Sequence, residues 1–140
     1  MQQMMDVAAL ERFLEEAFPQ VAGDYRVEDL TEDGIRMRLA VENRHLRPGG
    51  TVSGPAMFAL ADVAVYLAIL SRIGPKALAV TTNCSIDFMR KPAAGRDLLA
   101  ETRLLKLGRV LAVGDVMIHS DGGTQPVARA TLTYSIPPER

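Results

Sequence analysis

Tryptophan is absent, and cysteine occurs once and histidine twice in the 140-residue chain. A lone Cys84 can close no internal disulfide and supplies no thiolate cluster, so a reducing, cytoplasmic setting is expected. His45 and His119 lie far apart in sequence and leave little from which to build an imidazole metal centre. No metal and no redox cofactor is expected. A charge excess is missing too: sixteen Lys and Arg against seventeen Asp and Glu give a net charge of −1. That balance provides no basic field for nucleic acid or an anionic membrane. The first dozen residues lack the basic start and long apolar run of an export signal. The most apolar stretch, residues 56–70, is shorter than the roughly 20 residues a spanning helix needs and carries Asp62 near its middle. Neither a nucleic-acid nor a membrane partner is expected. Repeats, low-complexity tracts and Ser/Gly-rich linkers are also absent, so residues 1–140 are expected to form a single domain.

What is present is a clear succession of periodicities. Val7, Leu10, Phe13, Leu14, Ala17 and Phe18 follow helical spacing, and Pro19 helps to end that helix, which reads as a lid or packing element. Two strand-like runs, Tyr25 to Leu30 and Ile35 to Val41, flank the turn Thr31-Glu32-Asp33-Gly34. Asn43 to Ser53 reads as a Gly/Pro loop, followed from Gly54 to about Ser71 by a helix apolar on most sides. Beyond Gly74-Pro75 the period is two. Val80, Thr82, Cys84, Ile86 and Phe88 share one phase; Val110, Ala112, Gly114, Val116 and Ile118 another; Ala128, Ala130, Leu132, Tyr134 and Ile136 a third. Leu98 to Leu107 is a further strand, joined to the next by a tight turn at Leu107-Gly108-Arg109. Four successive strands without intervening helices exclude a doubly wound parallel sheet. The expected class is α+β, an antiparallel sheet wrapped round one long helix. Its edges call for a second copy, so a homo-oligomer is expected.

Asp62 is the residue that needs explaining. Apart from Tyr66, one turn on, it is the single ionisable group in residues 56–70. A carboxylate buried there costs several kcal/mol unless it is paired, hydrogen-bonded, protonated or facing a polar cleft. Either it bonds Tyr66 or a neighbouring loop, or it serves a site. Upstream, Ser53 suits the N-cap and Pro55 the first turn. The N–H of Gly54, at the positive end of the helix, could then hold a carbonyl oxygen as negative charge builds on it. Gly49 and Gly54 have the spacing of a phosphate-binding loop, but Pro55-Ala56 stands where Lys-Ser/Thr would be needed. Ser53 lacks a nucleophile elbow. Cys84 reads as a small core residue, and the histidines as ordinary ones. Arg90, Lys91, Lys106 and Arg109 gather near strand ends, where basic side chains could meet phosphates.

The stretch Arg47 to Asp62 resembles the hot-dog-fold acyl-CoA thioesterases of the phenylacetyl-CoA (PaaI) type. Ser53-Gly54-Pro55 stands where that family has His-Gly-Gly, and Leu60-Ala61-Asp62 stands at its acidic step. The likeness continues through residues 80–92, 107–113 and 128–134. It implies a hot-dog fold and thioester hydrolysis of an acyl-CoA, with Asp62 as general base or nucleophile. Gly54 N–H becomes the oxyanion donor and Thr81 a hydroxyl partner of the acid. The resemblance further implies a dimer, or a dimer of dimers forming a homotetramer, with helix start and acid drawn from opposite subunits and CoA phosphates near Arg90, Lys91 and Arg109. Phe58, Tyr66 and Met89 are candidates for the acyl pocket. Ser53 replaces the family histidine and Arg47 its asparagine, with Asn43 as a substitute four residues earlier. That disfavours a dehydratase and leaves a non-catalytic acyl-CoA-binding or assembly module as the alternative.

Overall fold

The computed structural model describes residues 2–138. Asp6 caps the first helix, α1 (Val7–Ala17), by accepting from Ala9 N–H at 2.8 Å, and Leu10 and Leu14 form its buried stripe. Pro19 does more than end α1. It begins a four-residue helix, α2 (Pro19–Ala22), with Phe18 as the corner between the two. The strands β1 (Tyr25–Leu30) and β2 (Gly34–Leu39) pair as an antiparallel hairpin. β2 stops two residues earlier than its alternation suggests because Ala40 N–H turns to Asp24 O at 2.8 Å and Val41 N–H to Asp97 Oδ1 at 3.0 Å.

The long helix α3 (Gly54–Ile73) follows, and then β3 (Val80–Phe88), β4 (Leu98–Leu107), β5 (Leu111–Ser120) and β6 (Ala128–Ser135). The six strands form one antiparallel sheet in the order β1-β2-β4-β5-β6-β3. It wraps α3 in the hot-dog manner, with α1 packed beside it. Leu60, Leu67, Ile69 and Leu70 are fully buried against Ile35, Met37, Leu98, Ile118 and Leu132. Gly114 lets the helix come this close, since a Cβ there would stand 2.9 Å from both Val65 methyl groups. At 20 residues α3 is long and apolar enough to cross a membrane, against the shorter run expected. Burial inside the sheet, with Arg72 bonded to Thr31 O and Gly34 O, is what identifies it as a core helix.

β5 and β6 bury the alternate residues their sequence predicts, except that Val110 lies in the turn before β5. β3 departs from its simple period. Thr81 faces Tyr134 and Asn83 faces Thr133, so Thr82 is an extra residue bulged out of the pairing. The bulge moves Thr81, rather than Thr82, onto the inner face with Cys84 and Ile86. Because β3 is an edge strand, Cys84 is only partly buried instead of a true core residue.

Candidate active site

Three elements converge on Asp62. The carboxylate leaves α3 toward β3 and β6, where Thr81 Oγ1 donates to its Oδ1 at 2.5 Å and Tyr134 OH donates to the same oxygen at 2.7 Å. Tyr134 OH also lies 3.0 Å from the Asp62 carbonyl oxygen. Among the described residues no donor reaches Oδ2, and the residue lines a cavity of about 330 Å³ with Val63, Tyr66, Thr81 and Tyr134. Two donors thus fix one oxygen and leave the other for whatever enters. Tyr66 does not bond the acid; its hydroxyl donates to Ala77 O at 2.9 Å while its ring stacks on Tyr134 at 6.0 Å.

The acid's negative charge is felt around it. Burial and then the Asp62 carboxylate push the Tyr25 phenol up to about 12. The same two causes push Tyr134 higher still and raise the Cys84 thiol. Tyr134, 3% exposed, therefore stays protonated as a permanent donor, and Cys84 is a poor thiolate.

The start of α3 is built by backbone. Ser53 Oγ accepts from Ala56 N–H at 3.3 Å, as its N-cap position predicts, and is thereby occupied. Ser53 N–H donates to His45 O at 2.8 Å, and Leu46 bridges Val52, so the loop from residue 43 delivers the chain to Gly54 at a fixed angle. His45 is itself pinned: Glu42 N–H donates to Nδ1 at 2.8 Å while Nε2 lies 3.3 Å from Asp24 Oδ2. Arg47, Ser53, Gly54, Met89, Arg90 and Lys91 line a second cavity of about 630 Å³. The Phe88 ring lies over Gly54, 3.3 Å from where a Cβ would stand.

One chain therefore sorts the expected residues into two groups. Asp62, Thr81 and Tyr66 share the first cavity; Arg47, Ser53, Gly54, Met89, Arg90 and Lys91 share the second. Gly54 and Asp62 are eight residues apart on one helix, about 12 Å along its axis. Phe58, 39% exposed, and Asn43, exposed at the start of the short turn Asn43–His45, stand outside both walls. Arg109 lines a third cavity with Ile73 and Lys76, at the other end of α3 from Arg90 and Lys91. Sequence reasoning marks Tyr134 only as an inward strand position; a buried phenol on an inner face is the one signal that could single it out.

A family model described as thioesterase superfamily matches residues 49–127. The chain is 60% identical to a candidate thioesterase of Silicibacter sp. TM1040, covering 99% of this chain and 96% of that one with a TM-score of 0.93. It is 30% identical to the phenylacetic acid degradation protein PaaI of Thermus thermophilus, over 85% of this chain and 99% of that one, TM-score 0.72. A Streptococcus mutans protein solved bound to acetyl-CoA is 26% identical over 83% of this chain and 90% of that one, TM-score 0.70.

Proposed function

The chain belongs to the thioesterase superfamily as a thioester hydrolase of PaaI type, and from that premise we propose that it hydrolyses acyl-CoA at Asp62. The observation that carries this reading is the carboxylate itself, set in a largely apolar cavity with Oδ1 held by Thr81 and Tyr134. Oδ2 either takes a proton from water, which attacks the thioester carbonyl carbon, or attacks that carbon directly to give an anhydride that water opens. In both routes the C=O becomes an oxyanion, which collapses to break the C–S bond, and the departing CoA thiolate takes up a proton. Acetyl-CoA in the Streptococcus mutans relative supports CoA as the carrier.

The oxyanion donor in this reading is Gly54 N–H of a second copy. Separate cavities for Asp62 and Gly54 within one chain support it, as does the exposed edge of β3, where Val80 and Phe88 are 56% and 52% exposed. A dimer, or a pair of dimers, would bring one copy's acid to the other's helix start, with Arg47, Arg90 and Lys91 beside the CoA phosphates. Reaction needs no metal or redox cofactor in this scheme.

Asp62→Asn tests it against the non-catalytic alternative. Thiol release from a panel of acyl-CoAs is expected to fall by about 10²- to 10⁴-fold in kcat while CoA binding persists. Equal hydrolysis by wild type and variant would remove Asp62 from the chemistry; binding without hydrolysis by either would make the chain a binding module.

A further inference from the structure

The acid's cavity has a wall that comes from α1. Ala17 and Phe18 line it, together with Val63 and Tyr66 from α3 and Ala79 from the segment before β3. This wall lies upstream of the segment matched by the family model, which begins at residue 49. It is also held in place. Leu10 and Leu14 anchor α1 in the core, Phe13 packs on Tyr66 at 6.3 Å, and Phe18 N–H donates to Leu14 O at 2.9 Å. Pro19 then restarts the helix and turns the chain at the Phe18 corner. Phe18 is 39% exposed, so part of its ring faces open space rather than the core. Small residues, Ala17, Ala77 and Ala79, leave the remaining space.

We infer that Phe18 sets the length of acyl group the site accepts. The inference rests on the proposed assignment of this cavity to the thioester. The substrate class is then a short or compact hydrophobic acyl group: its carbonyl lies beside Asp62, its tail runs along Tyr66 and Val63, and Phe18 stops it. Longer chains meet the ring and are rejected. A single methylene in an apolar pocket is worth roughly tenfold or more in kcat/KM, so one side chain in the cavity wall is enough to set a cut-off.

The test is a series of straight-chain acyl-CoAs from two to twelve carbons, with wild type, Phe18→Ala and Phe18→Trp. In Phe18→Ala the cut-off is expected to move out by two or more methylenes, raising kcat/KM for the first rejected chain at least about tenfold. Acetyl-CoA turnover, measured in the same series, is the reference to which each variant's length profile is normalised. Phe18→Trp should move the cut-off inward. The same chains as non-hydrolysable acyl-CoA thioethers, measured by calorimetry, give a second readout on folded protein. An unchanged length profile in both variants overturns the inference even if hydrolysis is normal. A shifted thioether profile on an enzyme that hydrolyses nothing upholds the inference and overturns the catalytic reading.

Discussion

The two halves of the proposed site are made in different ways. Around Asp62, side chains from α3, β3 and β6 interlock: a carboxylate, a threonine hydroxyl and a buried phenol, with ring stacking behind them. Around Gly54 the work is done by backbone and loop, with Ser53 spent on the helix cap and Arg47, Arg90 and Lys91 spread over a wider, more exposed cavity. Regular elements hold a group that must be placed to a fraction of an ångström. A loop suffices to present an N–H and a set of point charges. Asp62 meets both of its hydrogen-bond donors within one chain, whereas Gly54 opens onto a separate cavity.

The most severe test of that division combines variants from both halves. Asp62→Asn and Gly54→Pro, each alone, should lose about 10²-fold or more in kcat, the second by removing one oxyanion donor. Co-assembled, they should recover about a quarter of wild-type activity, because half the dimers then carry one intact site of two. No recovery would place both groups in the same subunit's site. Tyr134→Phe is expected to come next. It removes a hydrogen bond to a charged group, worth about 1.5–3 kcal/mol, so kcat should fall roughly 10- to 100-fold with KM little changed. A purely structural tyrosine would lower stability without that fall in kcat at constant KM.

On the exposed half the effects should be smaller. Arg90→Ala with Lys91→Ala is expected to raise KM about three- to fivefold, less at high salt, and to leave kcat unchanged. Arg90 already donates to Pro126 O at 2.7 Å, which tempers its share. The mildest effect is on stability. Burial, then the charge of Arg44, lowers the His45 imidazole from 6.5, against a lesser upward pull from Glu42. The unfolded chain binds a proton that the folded chain resists, so stability is full above pH 6.5 and declines as pH falls through both values. His45→Gln should flatten that acid-side decline in a series of thermal melts; an unchanged slope would assign it to other groups.

Much of the architecture is readable from the letters. Helical spacing marks α1, near-continuous apolarity marks α3, and alternation marks β5 and β6, because each pattern reports contacts made by neighbouring turns or alternate residues. Asp62 stands out because a carboxylate in an oily helix has few tolerable surroundings. Tyr134 does not, since its partner lies 72 positions away and meets it only after β3 has crossed to pair with β6. Family resemblance ties Thr81 to the acid, while strict alternation places it on the wrong face. Arg109 and Arg90 look equivalent as turn residues, yet the sheet order sends them to opposite ends of α3.

The extra residue in β3 has an evolutionary corollary. Side chain 82 touches little of the acid's surroundings, so its identity is free to drift, but its presence is not optional. Deleting one position between Val80 and Asn83, or inserting one, would rotate the Thr81 hydroxyl out to solvent and leave the carboxylate with Tyr134 as its lone clasp. Descendants of this chain should therefore vary freely in spelling at that point while never changing the count.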